Sequence, residues 1–222
     1  MCILTLGAGT ATAGDAPLKF ARGIVLSGID SGTVEYDGTT FFATPNSTYG
    51  RAAIPTLIYT SGQGTTLTQN AETTNTTLFP AANDTITLPI GTYYIRWNVH
   101  VTRGASGTSA TLRVRFGGTA TATFSGTATG SATNASNAQN FNFSAVANGT
   151  DMVITPASTT SSGTYVATIT GILRVTAQGT IIPGYSLSAL LNIAGAALPA
   201  SNSLVIQSIT TSGSAASTGS WA

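Results

Sequence analysis

The sequence predicts an all-β fold, and three of its features support that prediction. Threonine makes up about a fifth of the 222 residues and suits the pleated, half-buried surface of a strand. Turn-forming glycine is abundant, whereas charged residues supply only 7% of the chain, and helix-favouring Glu, Lys and Gln are scarce. Two long segments also alternate apolar and polar residues with a period of two, as strands with one buried face do. We therefore expect sheets throughout the chain.

The first predicted element is a hairpin near the N-terminus. The segments 34–36 (VEY) and 39–42 (TTFF) flank Asp37-Gly38, a dipeptide typical of two-residue hairpin turns. A hairpin alone is only marginally stable in water, and the residues before it contain too few apolar side chains to form a core. The hairpin must therefore be stabilised by packing against another part of the protein or by oligomerisation.

The pattern of the sequence changes after Pro55 and divides the chain into two parts. Residues 1–55 are predicted to form an N-terminal segment that contains the hairpin, and residues 56–222 a separate head domain. In an oligomer, the contacts between chains in the first part would be apolar and aromatic: Leu6, Leu18, Phe20, Tyr36, Phe41 and Phe42.

The head is predicted to be an antiparallel β-sandwich of the jelly-roll type. In "TYYIRWNVHVT" (92–102) one face carries Tyr, Ile, Trp and two Val residues, and "TYVATITGILRVT" (164–176) repeats the pattern. Segment 188–201 could hold one helical turn or a loop. About ten short strands in all are typical of such a sandwich. The shorter ones are predicted at Leu57–Tyr59, Asp84–Leu88, Ala110–Phe116, Ala120–Phe124, Phe141–Ala145, Met152–Pro156, Thr180–Leu187 and Leu204–Ile209.

The polar faces of these strands carry cations with few carboxylates to pair with them: Arg96, His100, Arg113, Arg115 and Arg174. In a monomer they would be solvated. In an oligomer they would line a subunit interface, where arginine bonds to hydroxyls, amides and carbonyls of another chain. Contact with nucleic acid is the third reading, and a net charge of only +1 argues against it.

No constellation of catalytic residues is evident. A Ser-His-Asp triad could use only His100, which lies in the middle of a predicted strand, and no G-x-S-x-G turn is present. The glycine-rich "GAGTATAG" (7–14) is not followed by the helix or Lys-Ser/Thr of a phosphate-binding loop. We therefore predict a protein that is not an enzyme and that uses no cofactor.

Metal binding and disulfide formation are also not expected. Asp30, Glu35 and Asp37 could bind Ca²⁺ or act as paired carboxylates, but the Asp-Gly turn already explains Asp37. The single Cys2 excludes an intrachain disulfide. The first residues lack the basic region of a secretory signal, and no apolar run reaches the roughly 18 residues of a membrane helix.

The N-terminal quarter contains the pieces "GTATAG", "APLKF", "SGTVEYDGTTFF" and "GRAAIP". Together they resemble a segment of bacteriophage tail fibres and other virion proteins. The remainder is similar by pattern to trimeric jelly-roll heads of the C1q and tumour-necrosis-factor kind, through "GTYYIRWNVHV" and "GILRVTAQGTIIPGYSLSA". The sequence departs from the family pattern in two ways. The long shaft that usually precedes the N-terminal motifs is missing, and the C-terminal segment lacks the usual aromatic-rich pattern.

The resemblance implies a homotrimer on the virion surface, assembled in the host cytoplasm and joined to baseplate, tail or capsid proteins. Residues 1–55 would then be an intertwined trimerising or attachment segment, in which the hairpin packs against the same segments of the two other chains and 46–55 is the neck. As a tail fibre, it would contact the host surface, including its glycans, through distal loops at 102–109, 126–140 and 155–164. The residues expected to make these contacts are Ser106, Thr108, Asn134, Asn137, Ser158 and Thr160. The alternatives are a capsid-decorating or head-fibre protein with a purely structural role, a depolymerase, and a bacterial adhesin.

Overall fold

The computed structural model describes residues 18, 20, 30–36, 41–44, 52–54, 57–62, 67–69, 76–79, 85–103, 109–133, 138–157, 163–188, 196–198 and 201–210. Every regular element in this part of the chain is a β-strand, so the all-β prediction is confirmed. The backbone divides into two compact units between Ile54 and Pro55, whereas the sequence predicted a division after Pro55.

Sixteen strands are defined within the described residues. They are β1 (Thr33–Tyr36), β2 (Phe41–Thr44), β3 (Ala52–Ile54), β4 (Leu57–Gly62), β5 (Leu67–Gln69), β6 (Thr76–Thr77), β7 (Ile86–Leu88), β8 (Gly91–Arg103), β9 (Leu112–Gly117), β10 (Thr121–Ala132), β11 (Gln139–Ala147), β12 (Met152–Val153), β13 (Gly163–Ala177), β14 (Gly179–Leu187), β15 (Ala196–Leu198) and β16 (Ser203–Thr210).

The N-terminal unit contains a small antiparallel sheet in the order β1-β2-β3. The predicted hairpin is its first two strands, with Tyr36 opposite Phe41. The third strand was not predicted: Ala52–Ile54 lies in the segment expected to be a neck, yet it pairs with β2 and places Ile54 opposite Phe41. Part of what the hairpin packs against is therefore supplied by its own chain.

The second unit consists of two antiparallel sheets whose apolar faces form one core. The larger sheet has the order β11-β10-β13-β8-β15-β5, with β16 between β8 and β4, and the smaller has the order β12-β9-β14-β6, with β7 beside β14. The chain alternates between them, since β8, β10 and β13 belong to the first sheet and β9, β12 and β14 to the second. This arrangement is consistent with a β-sandwich.

The core of the second unit lies between these sheets. On β8 every second side chain from Tyr93 to Val101 is almost completely buried, as the period of two predicted. The Trp97 ring lies 5.1 Å from that of Phe116 on the smaller sheet, and Phe116 lies 5.7 Å from Phe124 on the larger one. Aromatic contacts therefore join the two sheets.

Phe124 also explains a pair of glycines in the larger sheet. Gly126 on β10 lies directly opposite Gly171 on β13. A Cβ atom placed on either glycine would come within 2.7 Å of the Phe124 Cζ atom and of the other glycine's Cα. The aromatic ring and the backbone of the facing strand therefore occupy the space that two side chains would need.

Two expectations about loop segments are corrected. The predicted loop 126–140 contains the second half of β10, which runs to Ala132 rather than ending at Phe124. Its side chains are small, but Ala128, Gly130 and Ala132 are buried in alternation with exposed Thr and Ser, so the segment is a strand. Segment 188–201, predicted as a helical turn or loop, contains the strand β15.

Candidate functional site

The candidate site is the outward surface of the larger sheet, here called the polar face. It comprises the side chains of β8, β10 and β13 that point away from the core, because strand residues alternate between the two faces. The register places its members opposite one another, so the face is continuous across all three strands. They include Arg96, Asn98 and His100 on β8, Thr123, Ser125, Thr127 and Thr129 on β10, and Thr168, Thr170, Ile172 and Arg174 on β13.

Side-chain hydrogen bonds run across this face from strand to strand. Thr168 on β13 donates its hydroxyl to Asn98 Oδ1 at 3.2 Å, and Asn98 Nδ2 donates to Ser203 Oγ on β16 at 3.1 Å. At the far side, Thr129 donates to Asn140 Oδ1 at 2.8 Å. These bonds fix the orientation of much of the polar face.

His100 is hydrogen-bonded through its backbone and its ring to the two residues that precede β16. Its backbone N–H donates to Asn202 Oδ1 at 2.6 Å, and its carbonyl accepts from Asn202 Nδ2 at 3.0 Å. Asn202 immediately precedes β16, and its side chain is buried. Its amide hydrogen-bonds to the β8 backbone at His100, a position with which no β16 residue pairs. His100 Nδ1 lies 2.8 Å from Ser201 Oγ, and partial burial lowers the pKa of the imidazole. A neutral His100 adds no charge to the polar face at pH 7.

Replacing Asn202 with alanine is expected to lower the free energy of unfolding by about 2 kcal/mol. The substitution leaves the backbone N–H and C=O of His100 without the partners that Asn202 supplies. Chemical denaturation measures the loss. The control is Asn98→Ala, which removes only side-chain bonds at the surface and should cost less than about 1 kcal/mol. Equal losses in the two variants would contradict this account of Asn202.

The predicted cations are divided between the two sheets. Arg96, His100 and Arg174 lie on the larger sheet, and Arg113 and Arg115 on β9 of the smaller one. Arg113 Nη1 lies 3.9 Å from Asp151 Oδ2, and Arg115 Nη1 donates to the Gly149 carbonyl at 3.4 Å. Arg113 therefore has a carboxylate partner within its own chain.

Arg96 and Arg174 differ from these residues, because neither forms an ion pair or hydrogen bond with any described residue. Arg96 lies opposite Thr170 of β13, and Arg174 lies four residues after Thr170 on the same strand. Four residues of an extended strand span about 13 Å, so the two arginines lie at different positions along the sheet. The polar face thus carries two guanidinium groups whose hydrogen-bond donors have no protein partner in the described part of the chain.

A pocket of about 200 Å³ lies beside Arg174. Its lining consists of Thr123, Ser125, Ala145, Ile172 and Arg174. No sequence pattern predicted it, because it depends on how β10 and β11 pair. The pocket is a concave feature of the polar face.

A second candidate surface is found in the N-terminal unit. Val34 and Tyr36 on β1, Phe41 on β2 and Ile54 on β3 occupy one face of the small sheet, by the alternation and register of its strands. Val34 is 49% exposed and Ile54 37%. The Phe41 ring stacks on Tyr36 at 4.5 Å and meets Phe20, itself 39% exposed, edge-on at 5.5 Å. We call this surface the apolar face.

The other predicted contacts of the N-terminal unit differ in position. Phe42 lies on the opposite side of the small sheet and is only 7% exposed, so its own chain already covers it. Leu18 is 52% exposed. Leu6 lies outside the described residues.

The six residues of the head that were predicted to contact a receptor also lie outside the described residues: Ser106, Thr108, Asn134, Asn137, Ser158 and Thr160.

The acidic residues near the hairpin form no metal site within the part of the chain that the structure describes. No cluster of three His, Cys, Asp or Glu side chains is found there. The Asp30 carbonyl accepts a hydrogen bond from the Thr33 hydroxyl at 2.7 Å, which is an interaction of a turn, and Asp37 is outside the described residues. None of the described segments forms an apolar helix of membrane-spanning length.

Comparison of the chain with protein-family models, with curated proteins and with solved structures finds no match. The likeness to bacteriophage fibre proteins therefore depends on the N-terminal motifs and on the pattern of the head strands.

Proposed function

We propose that this protein is a trimeric fibre protein of a bacteriophage virion, whose head contacts the surface of the host cell. The single observation that carries the proposal is the apolar face of the small N-terminal sheet. Val34 and Ile54 are large apolar residues on it, and both are more than a third exposed. A sheet of three short strands gains little stability alone and requires cover on an apolar side.

Two further copies of the same segment would provide this cover. Three such sheets around one axis can share a narrow core that a single sheet cannot form, and Tyr36, Phe41 and Phe20 would contribute aromatic area to it. The resemblance of "SGTVEYDGTTFF" and "GRAAIP" to fibre segments supports three as the number of copies. Phe42 is left out of the proposed interface because it is already buried.

In the head, the proposal assigns a jelly-roll topology and an interface that includes Arg96, His100, Arg113 and Arg115. A threefold ring is made by a heterologous contact, in which two different patches of each chain meet. Cations on opposite sheets are compatible with such a ring, since one patch can belong to each sheet. Arginine on one chain would then donate to hydroxyls and carbonyls of the next.

Labelling of the particle tests the location. Antibodies against the head should bind at the tail or baseplate of virions from the genome that encodes the chain, and purified protein should adhere to the host cells. Label on the capsid surface, together with no adhesion to cells, would instead identify a decoration or head-fibre protein. Release of polysaccharide fragments by the purified protein would identify a depolymerase.

A further inference from the structure

The pocket beside Arg174 contains a backbone irregularity that orients one of its hydroxyl groups. β10 and β11 pair at Phe124 with Val146 and again at Gly126 with Phe143, so two residues of β11 face Ser125 alone. This is a β-bulge. Ala145 within it has a φ of 49°, which is uncommon for a residue other than glycine, and its N–H donates to Ser125 Oγ at 2.9 Å. Bulges and strained backbone are enriched at functional sites, where they redirect side chains.

The lining of the pocket has the chemistry of a site for a singly charged oxyanion. The Arg174 guanidinium presents five N–H donors in a planar fork, and no described residue uses them. Thr123 lies directly opposite Arg174 and Ser125 opposite Ile172, so two hydroxyls are next to the cation. The lining contains no carboxylate and no second cation. One guanidinium suits the single charge of a carboxylate or a phosphodiester.

The pocket also restricts the size of the ligand. Its volume of about 200 Å³ is below the range typical of sites for drug-sized molecules. Ile172 and Ala145 supply apolar atoms that can contact the carbon skeleton of a ligand. One sugar unit bearing an acidic group fits this combination of a cation, hydroxyls and an apolar wall.

We propose that the pocket formed by Arg174, Thr123, Ser125 and Ile172 binds the acidic group of an anionic surface polysaccharide. This inference rests on the proposed function, because it names the ligand that the head would recognise. It removes Arg174 from the predicted subunit interface, since a guanidinium covered by another chain could not bind a ligand. It also moves the predicted recognition from the distal loops to the polar face.

Titration of the purified protein with sodium glucuronate, a short glycerol-phosphate oligomer and glucose tests the proposal, with ligand-observed NMR as the readout. We expect binding of at least one of the two anions, and at least tenfold weaker binding of glucose. Binding of glucuronate alone would assign the acidic group to a uronic acid, and binding of the oligomer alone to a phosphodiester polymer. Equal binding of all three, or binding of none, would overturn the proposal.

Two variants and a matched control make the test specific. Arg174→Gln should weaken anion binding at least tenfold, and Thr123→Val, which removes a hydroxyl at nearly constant volume, should weaken it severalfold. Arg96→Gln removes the other unpartnered guanidinium of the polar face and should leave binding unchanged. Equal effects of Arg174→Gln and Arg96→Gln would show general charge attraction and overturn the assignment to the pocket.

The molar mass of Arg174→Gln separates this inference from the proposed function. An unchanged mass with lost anion binding is the expected result. A reduced mass would place Arg174 in a subunit interface and overturn the proposal for the pocket, while leaving the trimeric fibre intact. If adhesion to host cells persists in a protein that binds neither anion, only the pocket is disproved.

Discussion

Replacing Gly171 with alanine is expected to lower the free energy of unfolding by about 3 kcal/mol, a loss at the upper end of ordinary overpacking. The added Cβ would collide with the Ser125 carbonyl oxygen and come within 2.7 Å of the Gly126 Cα and the Phe124 Cζ. Two of these three atoms belong to the backbone of β10, which cannot move without disturbing its pairing with β13. The strain cannot be relieved by turning one side chain.

Gly117 provides a matched control for this substitution. It lies at the end of β9, and a Cβ placed on it would have its nearest neighbour, the Ile182 carbonyl oxygen, at 3.4 Å, an ordinary contact distance. Gly117→Ala should therefore change the unfolding free energy by less than about 0.5 kcal/mol. Urea denaturation of both variants at one protein concentration measures the difference. If Gly171→Ala is as stable as Gly117→Ala, the close approach of β10 and β13 at this point is refuted.

The double variant Val34→Lys/Ile54→Lys is expected to convert the proposed trimer into a monomer, a threefold fall in molar mass. Both residues lie on the apolar face, and three copies of each lysine would bring six ammonium groups into a narrow shared core. Burying an unpaired charge costs several kcal/mol, more than the small contact surface can offset. Size-exclusion chromatography with light scattering measures the mass.

Ile90→Lys is the control for this variant. Ile90 is 48% exposed, like the residues of the apolar face, but lies between β7 and β8 of the head, outside the residues proposed for the subunit interface. Its replacement should leave the mass unchanged. A mass that stays at the trimer value in Val34→Lys/Ile54→Lys would remove the main subunit contact from the N-terminal sheet.

The sequence was most informative where large side chains mark one face of a strand. On β8 and β13, aromatic and branched residues alternate with polar ones, and the buried faces were predicted residue by residue. The second half of β10 was missed because Ala, Gly, Ser and Thr give a weak hydropathy signal, although their period is also two. The same alternation could have placed Phe41 and Phe42 on opposite faces, since adjacent strand residues point in opposite directions.

Other features depend on contacts between distant parts of the chain. Asn202 stands 102 residues from His100, and nothing near either residue indicates that the amide replaces a strand partner. The pocket beside Arg174 requires a register shift between β10 and β11, which has no signature in the local sequence. Arg174 itself was identified from its alternation in β13, but its role could not be assigned without its neighbours Ser125 and Ala145.

The molar mass of the unmodified protein in solution tests the central claim most directly. Each chain has a mass of 22.3 kDa, so the trimer proposed here would have a mass of about 67 kDa, independent of concentration over the micromolar range. Light scattering on the eluted protein gives this value without reference to molecular shape. A mass of about 67 kDa is the expected result, and a stable, folded species of 22.3 kDa would contradict the account.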